Sequence, residues 1–247
     1  MPAEIRLLSY NVRSLRDDAG ALARVIRAGA PDVVCVQEAP RFVGWRRRAA
    51  RLGRATGLGY VSGGAPSCGT MIMSALGPVV EYAGSVTLPH TPGTHRRGLA
   101  LAVLRFGTGA RLAVVSCHLS LRAAERYRQA ELLLERLDRL TAPRGGRGRI
   151  PGVVAGDLND RPHGGAFRML AGRLTDAWRQ APEGGEFTFP SAAPDRRIDA
   201  VLGTSGVEVL GCGVPEGLPG IGPEDVRRAT DHLPLLARLR LPDPPRP

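Results

Sequence analysis

Apolar residues run along this chain in short blocks, and many of the blocks close on a polar residue. IRLLSYNV alternates toward a β-branched end and predicts a first strand. ALARVIRAGA sets Leu22, Val25 and Ile26 at helical spacing, with Gly29 and Pro31 to end the helix. PDVVCVQE is nearly continuous in apolar residues, as a strand covered on both faces would be. A second helix is expected from Trp45 to Leu52, with Arg46, Arg47 and Arg48 on its wet face. Between Tyr60 and Phe106, the runs CGTMIMSAL, VVEYAGSVTL and RGLALAVLRF are punctuated by Gly and Pro and predict hairpins. RLAVVSCHL is another apolar strand.

The clearest helix follows in RAAERYRQAELLLERLDRL, where Leu132, Leu133, Leu137 and Leu140 form the expected core stripe. APRGGRGR reads as a basic connection. IPGVVAGDLN is a strand that ends on an acid–amide pair, AFRMLAGRL is a helix, and RRIDAVLG, VEVLGCGV and LPLLARLRL are strands. Strands mixed with helices indicate an α/β protein with two sheets, or one large mixed sheet, and helices outside. No internal repeat or composition break marks a boundary. Residues 1–241 are therefore expected to form a single domain, and the Pro-rich tail 242–247 to be frayed.

Composition changes this picture little: 43% hydrophobic and 23% charged residues are globular values, and with only 4% aromatics the core must be aliphatic. Charge changes it more. The formal net charge is +11, and all 34 basic residues are Arg. Arg offers a planar fork to phosphate oxygens, which points to an anionic partner such as DNA or RNA. GC-rich coding bias accounts for the same excess equally well, so the charge supports a phosphate-bearing substrate without choosing one. Cys35, Cys68, Cys117 and Cys212 show no C-x-x-C spacing, which removes a zinc knuckle or redox pair from consideration. The N-terminus runs straight into a strand, and no run of about 18 apolar residues exists to span a membrane. A cytoplasmic protein is the expectation. No protein partner is legible.

The polar residues that close the blocks suit phosphate chemistry. Such a hydrolase needs a hard cation, commonly Mg²⁺ on one or two carboxylates, a group to prepare water, and a donor for developing charge. Glu38 ends an apolar run and suits the metal, and Asn11 can hold that carboxylate or a water. Asp157 and Asn159 are two apart, which on an extended segment puts both on one face; an Asx-type turn explains G-D-L-N equally well. Adjacent strand residues point oppositely, so Asp231 and His232 are not expected to pair with each other. Asp199 is then the natural partner of His232, leaving Asp231 for the metal. His118 also closes an apolar strand, where a structural histidine is the simpler reading.

Together these residues resemble the endonuclease/exonuclease/phosphatase superfamily. The matches run in order from SYNV through PDVVCVQE, CGTMIMS, RRGLALAV, SCHLS, VVAGDLND and RRIDAVLG to TDHLPLLARL, roughly Ile5 to Leu241. The resemblance implies a four-layered α/β sandwich of two packed mixed sheets flanked by helices. It implies Mg²⁺ as cofactor, with Mn²⁺ as substitute, and places Asn11, Glu38 and Asp231 on the metal side. His118 would bind phosphate and stabilise the leaving side, Asp157 would orient or activate water, and Asn159 would hold the phosphate. His232, oriented by Asp199, would act on the nucleophile or the transition state. Where many members carry an acid before Arg-Gly, this chain has Thr94-His95-Arg96-Arg97-Gly98, so His95 and Arg97 are candidate substrate contacts. No counterpart of the cleft tyrosine of apurinic endonucleases stands out, and Thr230 replaces the usual Ser before the Asp-His pair.

The leading expectation is a Mg²⁺-dependent phosphoesterase with a slight preference for a nuclease. A phosphatase or phosphodiesterase for small metabolites or lipid headgroups is the alternative. A non-catalytic scaffold on the same fold is the reading of another class, and the intact acids and imidazoles count against it. A dinucleotide-binding oxidoreductase lacks its G-x-G-x-x-G. Loops at 53–67 and 162–190 are expected to set specificity.

Overall fold

The computed structural model describes residues 3–107, 109–143 and 148–242. In chain order the first strands are β1 (Ala3–Asn11), β2 (Val33–Gln37), β3 (Gly59–Gly63), β4 (Met71–Ser74) and β5 (Val79–Thr87). They are followed by β6 (Gly98–Arg105), β7 (Arg111–His118), β8 (Gly152–Asp157) and β9 (Thr175–Asp176). The last are β10 (Asp199–Gly203), β11 (Glu208–Gly213) and β12 (Leu235–Leu241). The helices are α1 (Ala19–Ala28), α2 (Trp45–Thr56), α3 (Ala123–Thr141), α4 (Gly165–Ala171), α5 (Ala177–Gln180) and α6 (Pro223–Ala229).

The strands form two six-stranded sheets, ordered β11-β12-β1-β2-β4-β3 and β5-β6-β7-β8-β10-β9. Each is mixed, with one parallel pair at its centre: β1 with β2, and β7 with β8. Strand periodicity sorts the core into three clusters. Ile5, Leu7, Val33, Cys35, Leu112, Val114, Val153, Ala155 and Val201 fill the space between the sheets. The opposite faces of β7 and β8, through Ala113, Val115, Cys117 and Val154, meet α3 and α4. Leu8, Tyr10, Val34 and Val36 of the other sheet meet Leu22, Val25, Ile26 and Leu52 of α1 and α2. The result is the expected four-layered α/β sandwich.

Local sequence explains the helix ends. Asp18 caps α1 by accepting from the Ala21 N–H at 2.9 Å, and α2 ends at Gly57 in the left-handed region that Gly tolerates. In α3 the buried stripe is Leu133, Leu134, Leu137 and Leu140, each worth about 1.5–3 kcal/mol of burial. Leu132, expected in that stripe, is only partly buried and packs at its edge. The Arg46–Arg48 triplet is exposed as expected. Cys35, Cys117 and Cys212 are buried free thiols, and burial pushes Cys35 and Cys212 up to about 12. The 53–67 segment is not a loop: it completes α2, forms β3 and then a short 3₁₀ turn at Ala65–Ser67. Helix α6, hidden in the sequence by its Gly- and Pro-rich approach, packs on α1. The expected basic connection lies largely outside the described residues, as does the Pro-rich tail apart from Pro242. No described helix is long and apolar enough to cross a membrane.

Gly156, within G-D-L-N, has a steric reason. A Cβ there would run into the Cys117 carbonyl oxygen on β7, so the close approach of β7 and β8 requires Gly. Gly156→Ala should cost roughly 2–3 kcal/mol through overpacking. A urea unfolding curve with an unchanged midpoint would refute this.

Candidate active site

The apolar face between the sheets turns polar at one end. Along β7 the inward series is Leu112, Val114, Ser116, His118; along β8 it is Val153, Ala155, Asp157. The same alternation brings β1 to Ser9 and Asn11, and β2 to Gln37. Register does the rest. His118 pairs across β7/β8 with Asp157, and Asp157 pairs across β8/β10 with Asp199. In the other sheet Asn11 pairs with Gln37. Beneath the rim, Gln37 reaches the Ser116 hydroxyl at 3.5 Å and the Cys35 carbonyl at 3.0 Å, so these buried polar groups are partnered.

Asp157 is the hub. Its Oδ1 accepts from the Asn159 N–H at 2.9 Å. Its Oδ2 receives Asn11 Nδ2 at 3.2 Å and faces His118 Nε2 at 3.3 Å and His232 Nε2 at 3.8 Å. Asn11 also reaches Glu38 Oε1 at 3.4 Å and lies 3.5 Å from His232 Nε2. His232 Nδ1 donates to Asp199 Oδ2 at 2.9 Å, as the sequence predicts, and the Phe189 ring packs against the imidazole at 4.7 Å between centroids. Behind His118, Arg97 Nη1 donates to Nδ1 at 2.9 Å.

Electrostatics divide these groups. Burial, followed by the charge of Asp199, raises Asp157 from 3.8 to about 7. Burial opposes the charged form of His232, but the Asp199 charge and hydrogen bond outweigh it, with help from Asp157 and Asp231, and lift it to about 9. Burial and then the Arg97 charge hold His118 well below the usual histidine range.

Several expected placements are corrected. Asn159 is not on an extended face with Asp157: it sits at φ 49° in an Asx turn and gives its side-chain amide to the Leu119 carbonyl at 3.0 Å. Asp231 and His232 precede β12 instead of lying within a strand. Asp231 is not free: Arg13 Nε lies 3.4 Å from its Oδ2, and Thr230 donates to Oδ1 at 3.3 Å. His95 is exposed on the loop before β6. Glu38 sits one residue beyond β2 at φ 51°, half-buried beside Asn11.

Sequence reasoning missed the supports. Arg13, Ser14 and Leu15 are all left-handed, at φ 42°, 58° and 57°, held by Ser14 N–H to the Glu38 carbonyl at 2.8 Å. Asp160 accepts from the Ala166 and Phe167 N–H groups of α4 at 3.0 and 3.2 Å and from Arg126 at 3.2 Å. Arg126 also donates to the Ser120 and Leu121 carbonyls, both at 2.9 Å, which ties the His118 loop to the Asp157 loop. Arg197 grips Asp176 through bonds of 2.9–3.0 Å, fixing the entry to β10. Asp160 and Arg197 were visible as repeated charges beside Asn159 and Asp199, but nothing in the sequence named their partners.

Two sets of groups offer ligands for a cation. Asp157, Asp199 and His232 present atoms within 4.8 Å of one another, but there the imidazole is already engaged by Asp199. Glu38 presents carboxylate oxygens at a half-exposed rim, the donor type a hard cation takes, and buried Asn11 turns its Nδ2 to that carboxylate while its Oδ1 accepts from the Arg13 N–H.

Because Asp157 and His232 are both raised in the folded state, protonation of each favours the fold. That stabilisation is complete below about pH 4 for Asp157 and 6.5 for His232, and is lost as pH rises through about 7 and about 9. Carboxylates held low, such as Asp225 by Arg24, act the opposite way only in acid. His118, held low, also works the opposite way below about pH 6.5, so the urea midpoint of chelator-treated protein should fall between about pH 6.5 and 9. Asp157→Asn should flatten the lower part of that decline and stabilise the protein at pH 8 by roughly 1–3 kcal/mol. A midpoint that rises over this range would contradict the buried-acid account.

A model of the Endonuclease/Exonuclease/phosphatase family matches residues 8–232. Comparison with curated proteins finds no match. Among solved structures, an endonuclease/exonuclease/phosphatase from Bacteroides vulgatus superposes with a TM-score of 0.77 at 21% identity, covering 97% of this chain and 100% of that one. A mannosyl-6-phosphatase from Bacteroides thetaiotaomicron gives 0.78 at 17% identity over 95% and 99% of the two chains. D. rerio TDP2, complexed with a single-strand DNA product, gives 0.73 at 20% identity over 96% and 99%. At these identities the structural likeness speaks for the fold, whereas the family match spans most of the sequence. The chain belongs to the Endonuclease/Exonuclease/phosphatase family.

Proposed function

We propose that the protein hydrolyses a phosphodiester by in-line attack of water, with Mg²⁺ as cofactor and nucleic acid as the favoured substrate class. The observation that carries this reading is the convergence of Asn11 Nδ2, His118 Nε2 and His232 Nε2 within 3.2–3.8 Å of one buried Asp157 oxygen. N–H groups aimed at one point from three strand ends and loops are preorganised for an oxyanion. Asp157, poised near neutrality, orients the attacking water and takes its proton. His232, held by Asp199, donates to the developing charge on the phosphoryl group. His118 donates on the leaving side, and Asn159 holds Asp157 in place through its backbone N–H.

The residues present fit a hard cation: Glu38 offers oxygens at the rim, Asn11 steadies that carboxylate through its Nδ2, and Asp231 adds a carboxylate at the margin beside Arg13. When bound, Mg²⁺, or Mn²⁺ in its place, supplies neutralisation of the non-bridging phosphate oxygens. Support for nucleic acid comes from the +11 charge and from Arg13, Arg41 and Arg97 around the cluster. The shared fold with a protein bound to a single-strand DNA product adds to it. The sandwich shared with a sugar phosphatase keeps small phosphoesters as the second reading.

His232→Ala should lower kcat/KM by about 10³-fold while leaving the circular dichroism spectrum unchanged. Activity equal to that of the parent protein would remove the assignment. Single-stranded and plasmid DNA should be cleaved with Mg²⁺ or Mn²⁺ and not with chelator, and DNA affinity should fall steeply with salt. Turnover of a small phosphoester that ignores salt, with DNA left intact, would move the substrate to the second reading.

A further inference from the structure

Two imidazoles face the same Asp157 oxygen but are held from behind by opposite charges. His232 has the Asp199 carboxylate on its Nδ1 at 2.9 Å. His118 has the Arg97 guanidinium on its Nδ1, also at 2.9 Å. A guanidinium carries N–H donors and no acceptor. The Nδ1 of His118 must therefore present its lone pair, and the ring proton sits on Nε2, which faces Asp157 Oδ2 at 3.3 Å. Both ring nitrogens are thus matched in a buried setting, and the opposite tautomer would set N–H against N–H on one side and lone pair against carboxylate on the other.

Arg97 is built to stay there. It immediately precedes β6, its carbonyl accepts from the Leu88 N–H at 2.9 Å, and its side chain is largely buried among Asp157, Glu38 and Glu125 charges. Arg41 fastens the neighbouring backbone by donating to the Arg96 carbonyl at 3.4 Å.

We propose that Arg97 is a positioning residue that clamps His118 in the tautomer with a bare Nδ1 and a protonated Nε2, making it a fixed hydrogen-bond donor. With Nδ1 occupied by Arg97, loss of the Nε2 proton would leave an imidazolate, so His118 donates a hydrogen bond without giving up its proton. Its use in turnover rests on the phosphoester hydrolysis proposed above. The departing oxygen then takes its proton from a water molecule, and the proton collected by Asp157 returns to solvent. The two histidines accordingly differ in what holds them from behind: His232 has a carboxylate on its Nδ1, and His118 a guanidinium that leaves its Nε2 as the N–H.

The decisive measurement is the ¹⁵N NMR signature of the His118 ring at pH 7, assigned by its disappearance in His118→Gln and recorded without metal and with Mg²⁺. The expected result is a pyridine-type Nδ1 and a pyrrole-type Nε2, retained in Arg97→Lys, which keeps a donor. Arg97→Glu supplies an acceptor and should reverse the pattern. A protonated Nδ1 in the parent protein, or no change in a folded Arg97→Glu, would overturn the proposal; if that variant does not fold, the parent spectrum alone decides. In turnover, His118→Ala should lose about 10²–10³-fold in kcat, whereas His118→Gln, whose amide still donates, should recover at least tenfold of that loss. Equal loss in both would overturn the donor role. Absence of any hydrolysis in the parent would instead count against the proposed function, and the ring spectrum would still decide the clamp.

Discussion

A buried carboxylate is the constraint around which this molecule is arranged. Asp157 is almost fully enclosed, and an unpartnered charge there would cost several kcal/mol. It is tolerated because Asn11 on β1 and Asn159 in the following turn donate to it, while the imidazoles of His118 on β7 and His232 before β12 stand 3.3 and 3.8 Å away. None of these can move independently. The β7/β8 and β8/β10 registers set His118 and Asp199 beside Asp157, Gly156 lets β7 and β8 approach, and sheet-on-sheet packing brings Asn11 across. The compensation is incomplete, and Asp157 therefore keeps its proton to about 7. The site thus draws on the apolar sandwich below it for rigidity.

Backbone strain collects at the same rim. Arg13, Ser14, Leu15, Glu38 and Asn159 all occupy the left-handed region, which costs an L-residue on the order of 1 kcal/mol. These turns are tied to one another and to the site: Asn11 Oδ1 accepts from the Arg13 N–H at 3.1 Å, and the Glu38 carbonyl accepts from Ser14. An extended chain at Glu38 or Asn159 would carry each side chain on along the strand direction and away from the hub. The turns instead stop both strands at the rim, and the arginine of the first turn lands on Asp231.

Much of this was legible in the sequence because strand periodicity and the site obey one rule. A run such as VVSCH or GVVAGD alternates between two covered faces, and its closing residue inherits the inward direction of the valines before it. Asn11, His118 and Asp157 were found this way, whereas Asp199 opens its strand and was singled out as the carboxylate the His232 imidazole needs. What failed was conformation beyond the strand ends. The Asx turn at Asn159 was one of two readings the sequence left open, whereas the position of Asp231-His232 before β12 and the Arg13–Asp231 contact arise from turn geometry and long-range packing, which period-two reasoning does not reach. Helix α6 failed for a related reason: seven residues cut from a Gly- and Pro-rich stretch leave little helical period, and contact with α1 supplies its stability.

Charge balance gives the last step. Around the hub stand four carboxylates, Asp157, Asp199, Glu38 and Asp231, against four cationic groups, Arg13, Arg41, Arg97 and His232. With every acid ionised the set is neutral, so a phosphate would bring the first uncompensated negative charge. The proton on Asp157 shifts the set toward positive near neutrality, but the same proton would have to leave for Asp157 to accept one from water. Under the proposed hydrolysis, a phosphate anion would meet Glu38 at a point where no cation is bonded to the carboxylate among the described residues. That local gap in the pairing, more than the clustering of acids, favours a divalent cation at the Glu38 end under the same proposal. The arginines Arg97 and Arg13 instead stand behind His118 and against Asp231.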